Sequence, residues 1–166
     1  MDKLWAPWRM QYIEQIDHSD EGECIFCSKP QQQNDRDNLL LHRSEHAYVL
    51  MNLFPYNNGH LLIIPFHHSG DLLDCKPEVL QNCQELLQLS MRVLNAAWQP
   101  QGFNIGMNQG RCAGAGIDQH LHYHIVPRWS GDTNFMPLLS ETKVISHELG
   151  KSWDKLQPLF EEHSRA

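Results

Sequence analysis

Residues 76 to 99, KPEVLQNCQELLQLSMRVLNAAWQ, are the one stretch of this chain that reads as a long helix. Val79, Leu80, Cys83, Leu86, Leu87, Ser90, Met91 and Leu94 recur at helical spacing, so one stripe is apolar and has to be covered. Pro77 suits the first helical turn, and Pro100 lies beyond the end. Nearly everything that can cover this stripe is short and extended. Leu39 to His42, Ala47 to Asn52 and the LLIIPF run closed by Pro65 read as strands, with FPYNNGH as turn chemistry before the last of them. GFNIGMNQG reads as a strand entering a glycine turn, RCAGAGIDQ as a small-residue loop, and HLHYHIVPRW as a strand ended by Pro127. A late helix is expected near His147 to Phe160. One long helix and a C-terminal helix on a mainly antiparallel sheet make an α+β fold.

With 166 residues the chain fits a single domain over 1–166. An N-terminal extension covers 1–23, with a proline-broken start and a short amphipathic helix in WAPWRMQYIEQI. A C-x-x-C loop or knuckle follows at 24–27, and a tail at 130–166. The net charge of -7 argues against a nucleic-acid polymer as partner but leaves room for a nucleotide, which needs only a local phosphate site. No apolar run reaches membrane-spanning length, and the N-terminus lacks the apolar core of a signal peptide. With five cysteines, an odd number, reduced thiols and a cytoplasmic location are expected.

His120, His122 and His124 stand on alternate positions of QHLHYHIVPRW. On a strand they share one face, with Leu121, Tyr123 and Ile125 on the other. A wet face would be served better by Thr, Lys or Glu. A single metal ion is a poor fit to all three, because the row spans too much strand. The remaining reading is nucleophilic chemistry at phosphorus. Neutral imidazole forms a labile phosphoramidate, provided one ring nitrogen is free and the other holds its proton against an acceptor. AGAGI, residues 113 to 117, precedes the row and is small enough for backbone amides to approach an anion. Cys24 and Cys27 read as a metal knuckle, a redox pair or two buried thiols. Cys75, Cys83 and Cys112 suggest only packing or free thiols.

H-L-H-Y-H-I-V resembles the motif of the histidine triad superfamily of nucleotide hydrolases and transferases. C-I-F-C, M-N-L-F-P-Y-N-N-G-H-L-L-I-I-P and G-F-N-I-G-M-N extend the resemblance over most of the chain, and V-P-R-W-S-G-D-T-N-F-M-P is similar to the branch containing dinucleoside polyphosphate phosphorylases. The resemblance implies His122 as nucleophile, His124 as phosphate ligand and proton carrier, and His120 as the first member of the catalytic row. It implies His60 as a supporting histidine, Asn52 as a ribose ligand and Asn108 as a polar group of the phosphate site. Trp129 is left as base-stacking partner, core residue or dimer contact. Relatives that bind zinc use a cysteine pair with two histidines, implying a structural zinc on Cys24, Cys27, His68 and His120, with His67 competing for His68. They also pair as two-fold dimers, and Trp5 and Trp8 offer apolar surface for that.

The sequence departs from the family pattern in two places. Gly116 and Ile117 stand where many relatives have Gln and then Ser or Thr, so the amides of Ala115 and Gly116 must serve the phosphate. Asn58-Gly59-His60 replaces a common Pro-Gly-His. The implied substrates are mono- or dinucleotides such as diadenosine tetraphosphate. Water is expected as acceptor slightly ahead of phosphate, because Gly116 removes a side chain that phosphorylase members can use. A phosphorylase and a low-turnover nucleotide-binding module are the alternatives; a purely structural zinc domain is disfavoured by the intact row.

Overall fold

The computed structural model describes residues 24–132 and 148–165. Five strands form one antiparallel sheet: β1 (Leu40–Arg43), β2 (Ala47–Met51), β3 (Leu61–Pro65), β4 (Gly102–Met107) and β5 (Tyr123–Arg128), in the order β1-β2-β3-β5-β4. Among the described residues three α-helices accompany it: α1 (Ile25–Ser28), α2 (Pro77–Trp98) and α3 (Leu149–His163). The α+β expectation holds.

Period-two alternation gives the two faces different work. Val49, Met51, Leu61, Ile63 and Ile125 point to α2 and α3, where Cys83, Leu86, Leu87, Val93, Leu94, Leu156 and Phe160 close one core. Tyr48, Leu50, Leu62 and Ile64 point the other way and pack with Leu40 and Phe26. Both faces are therefore covered, which is why β2 and β3 are buried at every position. Tyr123 and Ile125 belong to the helix side. His124, between them and opposite Leu62 in register, is left on the Phe26 side.

α2 starts at Pro77 as expected and ends at Gln99, which takes a left-handed conformation (φ 49°) and returns its N–H to the Asn95 carbonyl. Two boundaries differ from the sequence reading. Residues 24–27 are not a loop: Cys24 caps a single helical turn, too short to show any periodicity. β5 begins at Tyr123 rather than at the first histidine and runs through Pro127. The β3 ladder ends at Leu61–Ile125, so Pro127 lies where β5 no longer has β3 beside it, and its missing N–H is tolerated there. At the other end, Leu121 N–H turns away to the Ser69 carbonyl at 2.8 Å, which takes His120 off the strand. The helix expected within 1–23, with Trp5 and Trp8, and tail residues 133–147 and 166 lie outside the described residues.

Candidate active site and metal centre

Four buried or half-buried imidazoles, His60, His120, His122 and His124, lie on the Phe26 side of the sheet; backbone groups set the protons of the first three, and His60 sets that of His124. His122 Nδ1 lies 2.9 Å from the His120 carbonyl oxygen. A carbonyl only accepts, so Nδ1 carries the proton and Nε2 holds a lone pair. Burial pushes the His122 pKa down, which favours the neutral ring. The Phe26 ring packs against it with centroids 5.1 Å apart.

His60 is fixed in the opposite sense. Its Nδ1 accepts the Tyr56 N–H at 3.0 Å, so Nε2 carries the proton and donates to His124 Nδ1, also at 3.0 Å. Neutral His124 must then carry its own proton on Nε2. The His122 and His124 rings lie 4.9 Å apart, centroid to centroid. A lone pair on one Nε2 thus sits beside an N–H donor on the other, an arrangement suited to attack at an electrophile and hydrogen bonding to the oxygen that leaves. The Tyr56 ring packs against His60 and His124 at 4.8 and 6.0 Å.

His120 faces elsewhere. Its Nε2–H donates to the Pro65 carbonyl at 2.8 Å, leaving the Nδ1 lone pair directed at Cys24 Sγ (3.3 Å), Cys27 Sγ (3.5 Å) and His68 Nδ1 (3.3 Å). Cys27 Sγ and His68 Nδ1 are 3.3 Å apart. A tetrahedron built with usual zinc–ligand bonds has edges of about 3.3 Å between two nitrogens and about 3.6 Å between sulfur and nitrogen. The four side chains could therefore hold one zinc ion, and His120 belongs to this cluster as much as to the row. His68, not His67, joins this cluster.

Burial lowers the His120 pKa to about 4, against the raising effect of its bond to Pro65. In metal-free protein this has a signed consequence. Between pH 6.5 and about 4 the unfolded chain binds a proton that the folded chain refuses, so stability is full above pH 6.5 and falls as the pH drops through that window. The expected loss from this group is on the order of 3 kcal/mol. Urea midpoints of metal-free protein measured from pH 7 to pH 4 should fall accordingly, and a His120→Asn variant should show a flatter profile; equal slopes would contradict this role for His120.

The remaining sequence-derived residues divide. Asn52 lies against His60, its Nδ2 3.3 Å from Nδ1, while its Oδ1 accepts the Phe54 N–H at 3.0 Å. The carboxamide thus helps to shape the turn that carries His60. Asn108 Nδ2 donates to the Gly114 carbonyl at 3.4 Å and ties down the 110–118 loop, where Gly110 and Gly114 take positive φ. The Ala115 N–H is directed at the Gly110 carbonyl at 3.3 Å, so within this loop it already has an acceptor. Ile117 packs with the Phe26 cluster, which accounts for an apolar residue there.

Trp129 is corrected in one respect. Its indole N–H donates to the Trp98 carbonyl at the end of α2, 3.3 Å away. Five residues along an extended strand also place it about 17 Å from His124, too far to stack on a base held at His122. It is a packing residue at the opposite end of β5. Sequence reading missed Phe26 and Tyr56, which wall the imidazoles, and the Pro65 carbonyl that orients His120. Phe26 was only a spacer within C-x-x-C and Tyr56 only a turn residue.

The fold and this row of imidazoles together define an enzyme. Residues 33–131 match the model of the HIT domain family, and the chain belongs to that family. It is 34% identical over 150 residues to the AP-4-A phosphorylase of Mycobacterium tuberculosis, covering 87% of this chain and 77% of the relative. Adenosine 5'-monophosphoramidase of Schizosaccharomyces pombe is 30% identical over 105 residues, 63% of this chain and 74% of that protein. Among solved structures, a zinc-bound histidine triad family protein from Mycobacterium smegmatis superposes with a TM-score of 0.69 at 24% identity, covering 86% and 96% of the two chains, a likeness of fold.

Proposed function

We propose that the protein transfers a nucleotidyl group from a dinucleoside polyphosphate through His122. The observation that carries this is the opposed protonation of neighbouring rings: a lone pair on His122 Nε2 beside a proton on His124 Nε2. His122 Nε2 forms a bond to the α-phosphorus, the bond from that phosphorus to the bridging oxygen breaks, and the leaving oxygen departs with the electron pair as a phosphate oxyanion that accepts a hydrogen bond from His124 Nε2–H. The positive charge that develops on the His122 ring faces the His120 carbonyl, whose dipole is already aimed at Nδ1–H. In the second half the acceptor oxygen attacks phosphorus and the N–P bond breaks, returning the electron pair to His122 Nε2; phosphate attacks through an oxyanion, and water as acceptor releases its proton to solvent.

The named activity of the M. tuberculosis relative favours phosphate as the acceptor, reversing the sequence-based preference for water. Water remains the second reading, because Gly116 offers no side chain and the Ala115 N–H has an acceptor within its own loop. The products separate the two. With diadenosine tetraphosphate at millimolar phosphate, ADP and ATP are expected from phosphorolysis, whereas AMP and ATP identify water. AMP dominating at every phosphate concentration would contradict phosphate as acceptor.

Cys24, Cys27, His68 and His120 would hold zinc. Bound there, the metal supplies structural cross-linking with a full set of four protein ligands. This chain's own contribution is that the residue ligating through Nδ1 also presents the carbonyl that holds the nucleophile's proton.

A further inference from the structure

We propose that Asp132 and Asn57 are positioning residues for His60 and, through it, for the proton of His124; the proposal rests on the nucleotidyl-transfer reading. The Asp132 side chain is only 8% exposed. Its Oδ2 accepts from Asn57 Nδ2 (2.8 Å), Arg128 Nε (2.6 Å) and the Trp129 N–H (3.2 Å), and its Oδ1 from Arg128 Nη2 (2.9 Å). Arg128 Nη1 reaches on to Asn104 Oδ1 in β4 at 2.8 Å. The carboxylate is thus fixed to two strands before it touches Asn57.

Asn57 is itself buried, and its Nδ2 also donates to the Pro127 carbonyl at 3.0 Å. Its own carbonyl accepts the His60 N–H at 3.2 Å, while the His60 carbonyl accepts the Asn52 N–H at 3.0 Å. The far side of this turn rests on α2. A Cβ on Gly59, at φ +72°, would stand 2.7 Å from the Trp98 ring, and the Trp98 carbonyl is tied to the Trp129 indole. The turn that delivers His60 is therefore gripped between the end of β5 and the end of α2.

Asp132 lies beyond the opposite end of β5 from His124. Its reach to the chemistry runs through the turn: carboxylate to Asn57 side chain, Asn57 carbonyl to His60 N–H, His60 Nε2–H to His124 Nδ1. Losing the carboxylate leaves Asn57 and Arg128 without this acceptor and loosens the turn. A misplaced His60 no longer keeps the His124 proton on Nε2.

The test combines kinetics with proton NMR. Asp132→Ala and Asn57→Ala should each lower kcat about tenfold while KM stays within about twofold, as expected when orientation rather than binding is lost. Asp132→Asn, which keeps an oxygen for Asn57, should fall between wild type and Asp132→Ala and serves if the alanine variant does not fold. In a His60→Ala background, Asp132→Ala should add less than about a twofold further loss, because its route is already cut. The His60 ring N–H signal, assigned by its disappearance in His60→Ala, should shift or exchange faster in Asp132→Ala and Asp132→Asn. An unchanged ring N–H signal, or an equal loss of kcat with and without His60, would overturn the proposal. The NMR signal is read in resting protein. Failure of His122 to form a nucleotidyl adduct would therefore refute the transfer reading without touching the positioning result.

Discussion

His122→Asn is expected to lower turnover of diadenosine tetraphosphate by roughly 10⁴-fold or more, with nucleotide affinity changed less than about threefold. The asymmetry follows from where the lone pair sits. His122 and His120 are both buried imidazoles with one nitrogen committed to a carbonyl, but the His120 lone pair is directed at Cys24, Cys27 and His68, which leaves His122 Nε2 as the lone pair next to His124. Asparagine can keep a donor near the His120 carbonyl and nearly fill the space beside Phe26, but it has no nucleophilic nitrogen. The loop at 110–118 and the His60–His124 pair stay in place, so ground-state binding should survive. Steady-state kinetics with binding measured by calorimetry check both halves. Near-full turnover in the variant would remove His122 from the role of nucleophile.

Cys24→Ser should be the most damaging change away from the reacting rings. It removes a thiolate from the cluster with Cys27, His68 and His120, and a three-ligand remnant binds zinc far more weakly. The loss is structural first. The cluster joins the α1 turn, the segment after β3 and the approach to β5, three places far apart in sequence. We expect zinc content to fall from about one per chain to near zero and stability to drop by about 3 kcal/mol, a shift of roughly 10 °C in Tm. Turnover should fall too, because His120 would no longer hold its carbonyl firmly against His122 Nδ1. Elemental analysis and thermal melts of the two proteins check this. Wild-type protein that is metal-free and melts at the variant's temperature would contradict a structural metal centre.

Strong periodicity made most of the scaffold legible in the sequence. The α2 stripe repeats over enough residues to override local noise, and β2 and β3 stand out as short continuous apolar runs bounded by turn residues; their boundaries fall within a residue or two of the expected ones. The α1 turn is four residues long and has no such repeat, so nothing in C-I-F-C marks Phe26 as the ring that packs on His122. Strand geometry placed His122 and His124 side by side correctly but carried His120 along with them. The Leu121–Ser69 hydrogen bond that turns His120 toward the cysteines is a long-range contact with no local signature. The protonation pattern was also out of reach, because it depends on the carbonyls of Pro65 and His120 and the N–H of Tyr56, and backbone groups leave no trace in residue identity. Trp129 shows the reverse error: nearness in sequence suggested a base-stacking role that strand length rules out.

The most direct test is to mix protein with diadenosine tetraphosphate, quench in alkali on the millisecond-to-second scale, and measure intact and peptide masses. The account predicts a transient adduct of one adenylyl group, labile to acid, mapping to His122 and absent from His122→Asn. Sustained turnover with no adduct on any histidine, or an adduct mapping to another residue, would contradict it.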